Sequence, residues 1–278
     1  METKQIVKDS ILLNVNSNSA SKYNGSMNSN LLFKTTGLIK SDKHTIYRQI
    51  SLQHAEIPVS WYNINSNNNT LTITINSITT IYTITPSNYT IDSLTTYLNL
   101  IVTGMIFSFN SSTSKYTITN SLYDFVINAS SSYKIFGQNK GIDLSSSSKI
   151  LLFPNVVNLF SITRINIKSS IIQTKNFDTY FGQGCLLSSI PVNDAQTGLL
   201  IYHNYNNFNN LFQNPSLDYI DLQLVDEIGN LIDFNDVDIA LFFQIDNYIE
   251  YIATQDNLLS LLSSNTKDKF ILQKNGII

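Results

Sequence analysis

Three histidines, a lone cysteine and a run of acids in the last quarter of the chain are the residues whose types could do chemistry. His44, His54 and His203 stand far apart, with neither H-x-H nor H-E-x-x-H spacing. A zinc site built from them would need the fold alone to bring all of them together. His54, at the end of an alternating stretch, is expected at a corner or an interface. Asp218, Asp221, Asp226, Glu227, Asp233, Asp236 and Asp238 cluster in sequence. Such a set could hold calcium or supply a carboxylate pair for glycoside hydrolysis. EF-hand spacing is absent, however, and turns collect Asp because its side chain bonds nearby backbone amides. Strand ends and turns are therefore the preferred reading. Gly182-Gln183-Gly184 is too short to cradle a phosphate and has no helix behind it. Cys185 has no nearby histidine to act as a base, and no second cysteine with which to form a disulfide or a thiolate cluster. Trp61 and Tyr62 could stack a sugar or a base, but such a pair more often fills a core or a subunit contact. The expectation is a non-enzyme without catalytic residues, cofactor-binding residues or metal ligands.

Composition points the same way. Charged residues make up only 13% of the 278, about half the usual share, so polar work falls to Asn, Ser and Thr. With 42% hydrophobic residues a packed core is within reach and global disorder is not expected. A net charge of −3, with the 17 Lys and Arg scattered, argues against a polyphosphate-binding surface. The start, Met1 to Lys8, is charged and the apolar run after it is short, so neither a signal peptide nor a membrane span is expected. The Asn-x-Ser/Thr matches at Asn24, Asn68, Asn88, Asn110 and Asn128 are accordingly read as unglycosylated.

The elements that would position these residues are mostly strands. From Thr45, Ile46, Ile50 and Leu52 alternate with Tyr47, Gln49, Ser51 and Gln53, the period of a half-buried strand that must stop or reach an edge at Pro58. Leu71, Ile73 and Ile75 alternate with threonines and turn back at Asn76-Ser77, a hairpin. Ile91, Leu94, Leu98 and Ile101 form one helical stripe, with Asn88 or Thr90 to cap it and Gly104 to stop it. Short strands follow at Met105 to Phe109, Lys115 to Thr119 and Phe125 to Ile127, then a helical turn from Tyr133 ending at Gly137. Asn158 to Ile172 is expected as a long strand with a bulge near Thr163-Arg164, because its apolar phase slips there. Strands at Leu186 to Ile190 and Gly198 to Tyr202 lead to an aromatic-studded loop, Asn204 to Asn214. Asp218 to Asp246 alternates, turns around Gly229 and alternates again, and is expected as a final hairpin. The Ser/Asn-rich start and the tail from Tyr248 are expected as arms.

Ala55-Glu56-Ile57-Pro58-Val59-Ser60-Trp61-Tyr62-Asn63-Ile64 resembles the A-x-I-P-x-S-[WF]-Y-N-I segment of minor capsid (penton) proteins of virophages and polinton-like viruses. Tyr89, Ser93, Leu94, Leu98 and Asn99, the stretch Ser26 to Ile39, and Leu224 to Asn235 (L-x-D-x-x-G-N-x-I-D-F-N) resemble further segments of that family, and Ile135-Phe136-Gly137 matches one loosely. Strand pattern alone gives an all-β sandwich. The resemblance implies a single jelly roll of eight strands in two sheets over residues 44–247, with insertions or decoration within 105–215 and arms at 1–43 and 248–278. It further implies a structural protein of the virion, assembled inside the host cell. Pentamers would sit at icosahedral vertices against major capsid protein trimers, without specific nucleic-acid binding. Terminal arms, and strand-flank residues such as Tyr47, Gln49 and Gln53, would make the contacts. A carbohydrate-binding jelly roll, with Trp61, Tyr62 and the Asn204 to Asn214 loop around an open pocket, is the alternative.

Overall fold

Apolar residues that recur every second position must be buried on one face, and two such faces close on each other here. The computed structural model describes residues 3–22, 27–39, 44–160, 162–171, 177–178, 182–183, 185–193, 198–212 and 217–253. In chain order the strands are β1 (Thr3–Asn16), β2 (Ser21–Lys22), β3 (Asn30–Ile39), β4 (Thr45–Pro58), β5 (Thr70–Ile75), β6 (Ile78–Thr83), β7 (Met105–Asn110), β8 (Lys115–Asn120), β9 (Phe125–Asn128) and β10 (Leu144–Ser145). They continue with β11 (Ile150–Leu152), β12 (Arg164–Lys168), β13 (Phe177–Asp178), β14 (Gly182–Gln183), β15 (Leu186–Pro191), β16 (Leu199–His203), β17 (Asn210–Phe212), β18 (Leu217–Val225) and β19 (Ala240–Ala253). Two helices, α1 (Ile91–Ile101) and α2 (Tyr133–Phe136), fall between them.

The first sheet has the order β1-β19-β4-β16, with β17 also on β4, and the second β15-β12-β18-β3-β2. Taken as eight strands in chain order (β1, β3, β4, β12, β15, β16 with β17, β18, β19), the first sheet reads 1-8-3-6 and the second 5-4-7-2. All pairings are antiparallel, and the chain repeatedly crosses from one sheet to the other. This is the two-Greek-key order of a jelly roll. Ile50, Ala55, Ile57, Leu241, Phe243 and Ile245 of one sheet and Phe33, Ile165, Ile167, Leu187, Leu222 and Leu224 of the other share one core.

A second module is inserted between β4 and β12. Its sheets, β10-β9-β5-β6 and β11-β8-β7, and both helices enclose a separate core around Leu71, Leu94, Phe107, Tyr116, Phe136 and Phe153. Asn76 and Ser77, both at positive φ (48° and 64°), turn β5 into β6 as a two-residue hairpin requires. Thr90 caps α1 in a capping box with Ser93, and Leu94 and Leu98 face inward. The module is clasped at its base. Ile64 and Ser87 exchange backbone hydrogen bonds of 3.2 and 3.0 Å, and the Asn63 side chain accepts from the Tyr89 amide at 2.9 Å and donates to the Tyr89 carbonyl at 2.8 Å.

Several expectations are corrected. Residues 3–16 and 30–39 are strands of the two sheets, not an arm: Ile11, Leu13, Val15, Leu31 and Phe33 pack on the core, and long-range pairing orders a segment whose own composition does not. The described part of the tail continues β19 to Ala253; the later patches lie outside the described residues. The expected final hairpin is not one. β18 and β19 lie in opposite sheets, because each turns its apolar face inward from its own side of the sandwich. The insertion begins near residue 62, earlier than the middle-segment decoration expected. In place of a long strand at 158–172, β12 spans only Arg164–Lys168, with its register shift at Ile167/Lys168 against β15. Ile46, expected inward, is 49% exposed, since a second register shift in β4 skips it.

Candidate functional site

Most of the acids are spent on backbone geometry. Asp226 accepts from the amides of Ile228 and Asn230 and from the Asn230 side chain, 2.8 to 2.9 Å, and so builds its own turn with Gly229 at φ 92°. Asp233 accepts from the Asn235 amide at 2.9 Å. Asp238 takes the Ser17 hydroxyl at 2.7 Å, and Asp221 takes the Ser170 amide and hydroxyl and the Ser169 hydroxyl. Glu227 accepts from the Thr163 amide at 3.4 Å. Carboxylates bonded to amides in this way stabilise turns and crossovers. Among the described residues no three His, Cys, Asp or Glu side chains converge with metal-ligating geometry.

A cleft of about 610 Å³ lies where the 226–235 turn faces the base of the inserted module. Tyr62, Asn65, Tyr133, Lys134, Asp226 and Asp233 are among the residues lining it. Trp61 touches the cleft but is buried, its ring edge-on to Phe234 at 5.9 Å. A Trp held that way has no open face for a sugar. The 204–209 loop lies elsewhere. The Asn204 amide bonds the Gln53 carbonyl, eight residues up the chain from Trp61, a span of about 25 Å along extended chain. The constellation a carbohydrate-binding head would need is not brought together.

The histidines are the surprise of the pairing pattern. The register of β16 on β4 sets His203 directly opposite His54. Phe242 of β19 pairs with His54 and Phe243 with Leu52, so Gln53 is an extra residue in the ladder. That bulge reverses the phase of β4. Ile50 and Leu52 face the core before it, Ala55 and Ile57 after it, and His54 and Glu56 turn outward. The two imidazoles approach Nδ1 to Nδ1 at 3.2 Å, with ring centroids 4.6 Å apart. On its far side, His54 Nε2 meets Glu56 Oε1 at 3.0 Å. His44 is at the other end of β4, so only two of the three histidines meet. No spacing rule reveals this pair in the sequence, because it depends on the bulge and on a partner about 150 positions away.

The rest of the first sheet's outer face mixes polar and aromatic side chains with exposed aliphatic ones, Leu199 and Ile201 of β16 among them. Asp246 is buried and accepts from Lys8 Nζ (2.8 Å), Ser10 (2.7 Å) and Gln244 (2.8 Å), joining β1 to β19. Burial alone pushes its carboxyl upward, but these three donors outweigh that and hold it below the usual carboxylate value. Tyr47 stacks on Tyr248 at 4.3 Å, and the Tyr248 hydroxyl donates to Gln49 at 3.2 Å. Gln53 donates to the Ser51 hydroxyl at 2.6 Å. β1 pairs only on its β19 side, so among the described residues its outer edge carries no strand. Along it Ile6 is 61% and Leu12 78% exposed.

No protein-family model matches the sequence, and no curated relative matches it. Among solved structures, the crystal structure of the selenomethionine-labelled mavirus penton protein matches over 88% of this chain and 99% of that one, with a TM-score of 0.43 and 11% identity. The chain is structurally similar to mavirus penton protein. Within the described residues no helix is long and apolar enough to cross a membrane.

Proposed function

We propose that this chain is a penton, a structural capsid protein rather than an enzyme, and that five copies close a ring at each vertex of an icosahedral DNA virus or virophage. The observation that supports the reading best is the outer edge of β1. Fourteen residues of strand end the sheet there, with no further strand beyond them among the described residues and with Ile6 and Leu12 exposed. A long edge of that kind is an aggregation hazard unless something covers it. A neighbouring copy can do so, and the opposite edge of the same sheet, β16 with β17, presents a different surface. Contact between two different edges is heterologous, and a heterologous contact that closes makes a ring. The filled sandwich interior and the scarcity of charge support a role in packing, since uncharged polar groups cost less to desolvate than ions. The segment Ala55 to Ile64, which ends β4 and leads into the inserted module, carries the penton resemblance.

On this reading the particle is assembled inside the host cell and the chain resides in the virion. The base of the ring meets major capsid protein trimers, the two ends of the chain make part of that contact, and nucleic acid is not bound specifically. Light scattering of the purified full chain across a concentration series tests it. A stable species of about five times the 31.3 kDa chain mass is expected, and a strict monomer at high concentration overturns it.

A further inference from the structure

The pair on the outer face of the first sheet has the geometry of two adjacent metal ligands. Imidazole nitrogens bind zinc at about 2.0 to 2.1 Å, so two of them on one ion stand about 2.9 Å apart at a right angle and about 3.4 Å apart at the tetrahedral angle. His54 Nδ1 and His203 Nδ1 are 3.2 Å apart. The remaining nitrogen of His54 faces the Glu56 carboxylate at 3.0 Å. A carboxylate there accepts Nε2–H, which fixes the tautomer that leaves the Nδ1 lone pair open and makes the ring a better donor. Phe242 flanks the His54 ring at 5.2 Å and Tyr205 the His203 ring at 5.6 Å, so both rings are held in place from the side. The bulge at Gln53 is what turns His54 outward to meet His203.

We propose that His54 and His203 form a surface site for a divalent transition-metal ion of the zinc, nickel or copper class, with Glu56 orienting His54. Imidazole suits these ions better than calcium or magnesium, which want oxygen. No third His, Cys, Asp or Glu joins the pair among the described residues, so water, or a side chain from another molecule, completes the coordination. The ion would tie β16, at the edge of its sheet, to the central strand β4.

Zinc chloride titrated calorimetrically into the full chain tests this, with His203→Ala, His54→Ala and Glu56→Gln measured beside it. His203 is exposed, so its replacement leaves the core intact, and circular dichroism checks that it does. Saturable binding is expected in the parent chain. Either histidine substitution abolishes it, and Glu56→Gln weakens it by about tenfold or more, the usual effect of losing a supporting carboxylate. Zinc also raises the melting temperature of the parent chain but not of His203→Ala. A flat titration means that the two rings share only a hydrogen bond, and overturns the proposal. So does binding that survives His203→Ala unchanged, because the ion then sits elsewhere.

Discussion

Replacing Phe136 by alanine separates the two cores. Phe136 is fully buried at the end of α2 and packs against Phe153, Tyr116 and Phe107, with ring centroids at 5.8, 5.7 and 6.4 Å. Removing a buried phenyl ring costs about 3 to 5 kcal/mol from lost transfer energy and the cavity left behind. Aromatic neighbours push the value toward the upper end, since each well-oriented pair adds roughly 0.5 to 1.5 kcal/mol. Domains are stable by only about 5 to 15 kcal/mol, so the inserted module loses much of its margin. Its melting transition should fall by more than about 10 °C. None of these partners belongs to the jelly-roll core, which is built from a different set of side chains. Hydrogen exchange followed by mass spectrometry reads the outcome by segment. Amides of β5, β7, β8 and β9 should exchange faster in Phe136→Ala, while those of β4, β18 and β19 keep the parent's protection. If protection falls equally in both sets, the chain is one cooperative unit and the two-core description is wrong.

Other perturbations probe the remaining joints. Asp246→Asn removes the anion that gathers Lys8, Ser10 and Gln244, and should cost on the order of 1 to 2 kcal/mol in urea unfolding at pH 7. Because its folded-state pKa lies below the unfolded value of 3.8, the carboxylate's contribution is complete at neutral pH and lost as pH falls below that value. The parent and Asp246→Asn should therefore converge in stability in strong acid, and a constant gap down to pH 2 would contradict this. Gly137→Ala places a Cβ at φ 75° against the Asn155 carbonyl, so a loss of about 1 to 3 kcal/mol is expected, read as a lower melting temperature of the inserted module. Asn63→Ala removes two hydrogen bonds from a buried side chain at the module's base and should cost about 1 to 3 kcal/mol, with faster exchange at Tyr89. Leu12→Glu changes an exposed side chain on the β1 edge, so the chain should keep its melting temperature yet fail to form rings in light scattering.

Local signals carried the parts of the fold that are local. The alternation before Pro58, the turn at Asn76-Ser77 and the stripe of Leu94 and Leu98 behind Thr90 each became the expected element, because two to four neighbouring residues decide each one. The sandwich was legible in the same way. What escaped reading depends on distant partners. Ile11, Leu13 and Val15 look like a short apolar patch in a polar arm until β19 lies beside them. Val225 and Ala240 look like two sides of one hairpin, although the chain between them crosses from one sheet to the other. The bulge at Gln53 leaves a trace in β4, where the apolar phase passes from Ile50 and Leu52 to Ala55 and Ile57, but that slip alone does not bring β16 alongside, and the meeting of His54 with His203 needs both. The acids behaved as turn chemistry predicts, because Asp226 and Asp233 find their partners within a few residues.

Assembly at a vertex is most directly tested on whole particles. An antibody fragment raised against the inserted module, bound to virions that carry this chain and imaged by electron cryomicroscopy, should appear as density ringed around the five-fold axes. Label spread over the facets, or particles that bind none, would contradict the account.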